Sequence, residues 1–423
     1  MKPDPASALE TSAAERPAAM IFIMLTVLID MISIGLIIPV MPALIGQLTT
    51  SQADQALWYG LIGFTFGLAN FFASPVLGAL ADAHGRRPVL LLGFCGLALN
   101  FFATALASSL MTLILVRIVG GAMQANQAVA NAYVADITPP EKRAKRFGML
   151  GAMFGLGFII GPVMGGLLGA INIKLPFFVA GGMAMLNLLY GYFVLPESLP
   201  IERRHAFHWR TINPLGALRD LRKLTTVGPL VAVLAFAGLA QFIMYSSWVL
   251  FTTFKFGWTP LQNGWSLAAV GVMSVIVQGV LLGPLLRRFS PRRLAIMGLI
   301  SSTLAYLLFG LATQGWMMFV IIFINVFGLT ISASFNSIIS GAAEAHKQGQ
   351  TMGAISSLNS LMTVIAPAIG APLLGFVSHY PQGDWRIGAP FYFCSLLQAI
   401  ALWLAYGHFR RRREIRLEAQ KEF

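Results

Sequence analysis

Long apolar segments alternate with short polar connections along most of the chain. Six apolar segments come before a long polar stretch, and six more follow it. Each is long enough to cross a bilayer as an α-helix, which requires about 20 apolar residues. The pattern predicts an all-α integral membrane protein with twelve transmembrane helices, at 20–40, 58–80, 89–108, 110–135, 148–170, 176–195, 228–250, 261–286, 294–313, 316–341, 350–377 and 389–408.

The central polar stretch divides the helices into two sets of six. We expect six-helix bundles at 20–196 and 228–408, joined by a cytoplasmic linker at 197–227. A cytoplasmic N-terminal tail at 1–19 and a basic tail at 409–423 flank the bundles.

The two halves also match as a repeat. A shift of 205 residues places Gly78 on Gly283, Gly148 on Gly353, Pro162 on Pro367 and Gly165 on Gly370. The alternative is chance agreement in a chain with 42 glycines, but the shift coincides with equal numbers of spans. The repeat predicts two pseudo-symmetric bundles with a substrate site near the bilayer midplane between them.

Composition and charge agree with a membrane protein. Hydrophobic residues make up 57% of the chain and charged residues 11%. The net charge is +13, and the basic residues concentrate in loops on one predicted side. Since Lys and Arg favour cytoplasmic loops, we expect a multi-pass protein of a bacterial-type inner membrane with both termini in the cytoplasm. Topology explains the basic charge, so we expect no nucleic-acid partner.

A short charged turn at 78–88 separates the second and third predicted helices. It carries Asp82 between Gly78 and Gly85, followed by Arg86 and Arg87. Polar backbone and charges of this kind require a position at a membrane face. One interpretation is an ordinary positive-inside loop, and the other is a set of specific ion pairs. The glycines at fixed spacing around Asp82 favour the second.

Asp30 lies near the middle of the first predicted helix, with Thr26 and Ser33 on the same face. A carboxylate in the membrane is costly, so it must face water or a partner, or be protonated. A structural role is the alternative, although Asp is too short to reach the interface from there. The position marks Asp30 as a candidate functional group.

Arg117 is the basic residue placed well inside a predicted helix. Small and polar residues follow it at helical spacings: Gly120, Gly121, Gln124, Gln127 and Asn131. One interpretation is that Arg117 only joins helices through carbonyl oxygens. The other is that it competes with a proton for Asp30, so that protonation selects a conformational state.

Other chemistry is not indicated. The chain has no Gly-rich phosphate loop ending in Lys-Ser or Lys-Thr, no metal-ligand spacing and no Ser-His-Asp arrangement. We therefore expect no enzyme activity, no cofactor and no metal site. An ion gradient would have to supply the energy.

Three patterns together resemble the signature motifs of the twelve-helix drug:proton antiporters of the major facilitator superfamily. They are Gly78-x-x-x-Asp82-x-x-Gly85-Arg86-Arg87, Arg117-x-x-x-Gly121 and Gly157-x-x-x-Gly161-Pro162-x-x-Gly165-Gly166. The third is the motif associated with antiporters. The stretch from Asp30 to Pro42, together with Phe256-Gly-Trp, is similar to the tetracycline-efflux branch.

The resemblance implies roles for individual residues. Asp82, Arg86 and Asp136 would form a conformational latch at the cytoplasmic face, together with the other residues of the first motif. Asp30 and Arg117 would take part in proton coupling or substrate binding. To that set we add Asn100, Gln124 and Asn131.

Some positions depart from the tetracycline-exporter pattern. Asn100 stands where those exporters typically have an acid in the third helix. Ser302 and Ser274 stand near the positions of a further acid and a histidine, and Ala83 replaces a basic residue. These departures argue against tetracycline as the substrate. A single mid-membrane acid indicates about one proton per cycle.

The sequence therefore predicts a secondary active transporter that exports a small amphipathic compound or drug in exchange for protons by alternating access. Its partners would be protons, the substrate and membrane lipid, and it would function as a monomer. One alternative is a proton symporter or facilitator importing a small metabolite, against which the antiporter-type motif argues. Another is a non-transporting membrane receptor or scaffold, against which the lack of a large soluble domain argues.

Overall fold

The computed structural model describes residues 17–124, 126–204, 207, 228–342 and 348–419. Within these ranges the chain forms helices and contains no β-strand. Most of the predicted N-terminal tail and of the central linker, and residues 420–423 of the predicted C-terminal tail, lie outside the described residues.

The first half contains eight α-helices among its described residues. They are α1 (Pro17–Ile37), α2 (Met41–Gly46), α3 (Gln52–His84), α4 (Arg86–Leu106), α5 (Leu110–Met123), α6 (Asn126–Asp136), α7 (Pro140–Ile171) and α8 (Leu175–Val194). A short 3₁₀ turn follows at Ile201–Arg203.

The second half also contains eight described α-helices. They are α9 (Gly228–Phe256), α10 (Pro260–Val275), α11 (Leu282–Arg288), α12 (Pro291–Leu311), α13 (Gly315–Ile324), α14 (Ile331–Ala342), α15 (Gln348–Val377) and α16 (Ala389–Ala419). A π-helical turn at Ile276–Leu281 joins α10 to α11.

Ten helical segments in the described part of the chain are long and apolar enough to cross a membrane. An eleventh span consists of a pair bent by 53°, Gly315–Ile324 with Gly328–Ile339. The shorter apolar helix Leu110–Met123 precedes α6 and accounts for the remaining predicted span. The predicted all-α membrane fold is confirmed, and these segments are consistent with twelve spans.

The predicted span at 110–135 contains the helices Leu110–Met123 and Asn126–Asp136, and the residue between Gln124 and Asn126 lies outside the described residues. The predicted span at 316–341 is interrupted at Asn325, between two helical pieces that bend by 53°. Asn readily leaves the helical conformation, so this break has a local cause. The helical pieces start at 110 and 126 and again at 315 and 331, so the shift of 205 residues relates both pairs of starts.

The chain forms two compact units. Within the described residues, the first comprises 17–44, 65–204 and 260–268, and the second comprises 45–64, 228–259 and 269–419. The start of α3 belongs to the second unit, and the start of α10 belongs to the first. A hydropathy pattern identifies spans but does not show which neighbours a helix packs against.

Each unit has the same internal packing. In the first unit α1 packs against α7 and α8, and α4 packs against α8. In the second unit α9 packs against α15 and α16, and α12 packs against α16. The cores contain Phe94 and Tyr133 in the first unit and Leu299 and Phe335 in the second.

Candidate functional site

The turn between α3 and α4 depends on Gly85. This residue has a φ of 105°, in the left-handed region that side chains disfavour. Its amide donates to the carbonyl of Ala81 and so ends α3. A Cβ at this position would also collide with the carboxylate of Glu197. Only glycine therefore satisfies both the backbone conformation and the packing of this turn.

Arg86, the first residue of α4, joins two acids. Its Nη1 lies 2.7 Å from Asp82 Oδ1, and its Nε donates to Asp136 Oδ2 at 3.1 Å. The Asp82 side chain is 52% exposed and the Asp136 side chain 25%, so solvent screens the Arg86–Asp82 pair more than the Arg86–Asp136 pair. The ends of α3, α4 and α6 are thereby held together by one guanidinium group.

Glu197 supplies the cap that Gly85 lacks. Its Oε1 accepts from the Arg86 amide at 2.8 Å, and its Oε2 accepts from the Arg87 amide at 3.2 Å. Oε1 also accepts from the amides of Ser198 and Leu199, each at 3.0 Å. A carboxylate at a helix N-terminus satisfies free amides and interacts favourably with the helix dipole.

Further contacts tie α8 to the same site. Arg87 Nη2 donates to the Tyr192 carbonyl at 2.6 Å, and its guanidinium lies 5.9 Å from the Tyr192 ring centroid. Ser198 Oγ donates to Asp136 Oδ2 at 3.2 Å. Tyr133 OH donates to the Pro196 carbonyl at 2.9 Å. The segment that follows α8 is thus part of the ion-pair site.

The predicted latch residues are placed as follows. Asp82, Arg86 and Asp136 lie together, with Gly85 and Arg87 beside them. Packing does not require a glycine at Gly78, unlike at Gly85, because a Cβ on residue 78 would meet nothing within 4 Å. Sequence reasoning missed Glu197, which was assigned to the linker. The available signal was its position next to a helix end on the same predicted side as Arg86 and Arg87.

Asp30 lines a small cavity inside the first unit. Its neighbours there come from α1, α4, α6 and α7 and are mostly apolar: Thr26, Val27, Met31, Leu90, Phe94, Ala130 and Phe154. The cavity measures about 20 Å³, which is room for about one water molecule. Asp30 makes no ion pair within the described residues. Such surroundings favour a carboxyl group that exchanges a proton over one that stays permanently charged.

Arg117 lies in other surroundings. It is 6% exposed, its Nη2 is 3.7 Å from Met41 Sδ, and its guanidinium is 5.8 Å from the Phe66 ring centroid. The ion pair with Asp30 considered from the sequence is therefore not among the contacts of this conformation. Arg117 contacts the α1–α2 region near Met41 instead.

The other predicted polar residues are spread along α4 to α6. Asn100 is 3% exposed and faces Gly120, where a Cβ would collide with its amide. Gln124 is half-buried just beyond α5, and Asn131 is exposed on α6. The Gln127 side chain lies outside the described residues. The structure thus brings Asn100 into the core and leaves Asn131 at the surface.

The antiporter-type motif forms a close helix crossing. A Cβ at Gly157, Gly161 or Gly165 would strike α1, at Met31, Gly35 and Leu36 respectively. Gly166 faces the opposite side, toward Pro260 and Leu261 of α10. Small residues permit such backbone approach between membrane helices.

Within the described residues, no group of three or more His, Cys, Asp or Glu side chains is arranged to hold a metal ion.

The family model described as Major Facilitator Superfamily matches residues 23–367 and 255–422. The chain belongs to this superfamily. It is 36% identical to the class C tetracycline resistance protein of Escherichia coli, over 89% of this chain and 95% of the relative. It is 29% identical to multidrug resistance protein 2 of Bacillus subtilis, over 88% of this chain and 93% of the relative. The resemblance to tetracycline exporters is confirmed.

Solved structures show the same fold. The D-xylose-proton symporter has a TM-score of 0.71 at 14% identity and covers 92% of this chain and 97% of its own. The nucleoside transporter NupG has a TM-score of 0.72 at 14% identity, covering 92% and 99%. This superfamily member is therefore a multi-pass membrane protein whose relatives are transporters rather than enzymes.

Proposed function

We propose that this protein exports a small amphipathic compound or drug from the cytoplasm in exchange for protons. The observation that carries the proposal is Asp30, a membrane-embedded acid in an apolar cavity with room for one water. A carboxyl group in such a place binds and releases a proton as its surroundings change. The tetracycline and multidrug resistance relatives support drug export.

The site around Arg86 would act as the latch of the transport cycle. Its ion pairs join helix ends that must separate or slide if the cytoplasmic side opens and closes. Glu197 would keep the α4 N-terminus in register while Arg86 changes partners. We propose an inner-membrane location with both termini in the cytoplasm, and a monomer that works with protons, substrate and membrane lipid.

Proton exchange in inside-out vesicles tests the function. A pH gradient, acid inside, is imposed and followed with a fluorescent pH probe while cationic, zwitterionic and neutral drugs are added, tetracycline included. We expect at least one compound to dissipate the gradient with the wild type and not with Asp30→Asn. Asp54→Asn is the matched control, because Asp54 lies near the start of α3 and accepts from Ser51 Oγ, away from the Asp30 cavity.

Two results would contradict the proposal. Equal dissipation by the wild type and Asp30→Asn would remove Asp30 from coupling. Compound-dependent proton movement in the direction of the compound would establish symport in place of exchange.

A further inference from the structure

The second unit contains a cavity of about 160 Å³. It lies between α9, α12, α15, α16 and the break that separates α13 from α14. Broken membrane helices are tolerated where they line a cavity, because the freed backbone groups need polar surroundings. The volume is similar to the ~150 Å³ that holds one benzene ring in an engineered protein cavity. One aromatic ring therefore fits.

Aromatic side chains form one side of this cavity. Tyr245 and Trp248 come from α9, and Tyr306 and Phe309 come from α12. Trp248 is 1% exposed and packs edge-on against Phe309, with ring centroids 5.0 Å apart. Packed rings of this kind offer rigid apolar faces to another aromatic ring.

The remaining lining is uncharged and contains both apolar and polar side chains. Besides the two tyrosines, its hydrogen-bonding residues are Gln241, Ser302, Asn325, Ser332, Asn336, Asn359 and Gln398. Of the described residues that line the cavity, none is Asp, Glu, Lys, Arg or His. A charged ligand would lose hydration here without gaining an opposite charge. The lining therefore favours a ligand that is uncharged when bound.

Two amides determine which hydrogen bonds the ligand must make. Gln398 is 1% exposed, and its Oε1 is buried without a hydrogen bond in the described part of the chain. Buried acceptors normally have a partner, so a ligand donor would complete this one. Asn325 Oδ1 accepts from Ser301 Oγ at 2.8 Å, so the Asn325 Nδ2 donor is not used in that bond and can serve a ligand acceptor.

We propose that this cavity binds the aromatic part of an uncharged substrate that carries both hydrogen-bond donors and acceptors. The inference rests on the proposed export function, because it names the class of compound exported. It also assigns proton binding and substrate binding to different units, with the proton bound in the first unit and the aromatic group of the substrate in the second.

Equilibrium binding tests the cavity without any proton gradient. Radiolabelled chloramphenicol, an uncharged nitrophenyl compound with amide and hydroxyl groups, is bound to the full-length protein in lipid nanodiscs. We expect saturable binding, with the aromatic cation ethidium at least tenfold weaker as a competitor. Gln398→Met keeps the side-chain length but removes the acceptor, and should weaken binding about tenfold, the effect of one desolvated hydrogen bond.

Two further variants make the result specific. Gln278→Met is the matched control, since Gln278 lies in the π-helical turn and donates to Ser274 outside the cavity lining. It should leave the dissociation constant within about twofold. Asn359→Leu changes an exposed lining residue, so it threatens folding less than Gln398→Met, and it should weaken binding severalfold.

The proposal is overturned by any of three results: no saturable chloramphenicol binding, equal competition by ethidium, or equal effects of the changes at Gln398 and Gln278. The binding proposal and the proton-exchange proposal can be contradicted independently. If chloramphenicol binds as expected but the protein shows no proton exchange, antiport is refuted and the cavity assignment stands. If only cationic compounds drive proton exchange, antiport stands and the cavity assignment is refuted.

Discussion

The helical pieces of the fourth predicted span start at equivalent positions in the two halves, but the chemistry around them differs. In the first unit Arg117 is buried in this span, and the half-buried acid Asp30 on α1 lines a small cavity. In the second unit Ile322 occupies the position 205 residues after Arg117 and lines a cavity of uncharged side chains. The same helical framework therefore carries an arginine at this position in one unit and an apolar residue beside an uncharged cavity in the other. A duplicated backbone can thus be retained while its two copies acquire different chemistry.

The two copies also differ in how their third spans begin. At the α4 N-terminus, Gly85 offers no side chain and Glu197 caps the helix from 111 residues away. At the α12 N-terminus, Ser290 caps the helix itself, with its Oγ accepting from the Arg293 amide. The first copy exchanges a local cap for a long-range contact, which makes the helix start sensitive to the segment after α8.

The largest effect is expected from placing a charge in the uncharged cavity of the second unit. Ile322→Arg would bury a guanidinium among uncharged side chains and should cost about 3–5 kcal/mol of stability, as for an uncompensated buried charge. Ile322→Val is the matched control and should cost about 0.5–1.5 kcal/mol. The thermal stability of both variants is measured in the same detergent, by heating the protein and monitoring the remaining folded fraction with fluorescence-detected size-exclusion chromatography. Equal stability of the two variants would show that the neutral lining is not required.

A smaller effect should distinguish the equivalent glycines Gly165 and Gly370. Gly165→Ala would push a Cβ into the backbone of Leu36 and should cost about 1–3 kcal/mol. Gly370→Ala would meet the Ser247 hydroxyl, a side-chain group that can rotate away, so it should cost less. The control is Gly78→Ala, which meets nothing and should be neutral or slightly stabilising.

The same thermal unfolding measurement ranks these three variants. A smaller loss for Gly165→Ala than for Gly370→Ala would show that α1 can move away from α7. The close packing of α1 against the antiporter-type motif of α7 would then not depend on glycine at residue 165.

The smallest effect concerns the two caps. Glu197→Gln removes the charge at the α4 N-terminus, and Ser290→Ala removes the local cap of α12; each should cost about 1 kcal/mol. Hydrogen–deuterium exchange locates the loss, and we expect faster exchange at the start of α4 for the first variant and of α12 for the second. Glu202→Gln is the control for charge alone, since Glu202 is exposed nearby.

Unchanged exchange at α4 in Glu197→Gln would contradict the role of Glu197 as a cap. Faster exchange at α4 in the Glu202 control would attribute the effect to net charge.

Much of the site can be read from the sequence because its residues sit on strong local signals. Asp82, Gly85 and Arg86 lie in one turn, and a short polar turn between apolar segments must reach a membrane face. Asp30 is visible as an acid within an apolar run. For Glu197 the sequence offers only a position beside a helix end, because its role comes from an approach to α4 across 111 residues of sequence.

The sequence by itself determined the membrane spans, the repeat of 205 residues and the charged turn, since hydropathy and spacing are properties of neighbouring residues. Only the tertiary structure decided that Arg117 lies against Met41 and Phe66, that Glu197 caps α4, and that the second unit encloses a neutral cavity. These features depend on which helix faces meet. Many apolar faces are equivalent in hydropathy, so only packing in three dimensions selects among them.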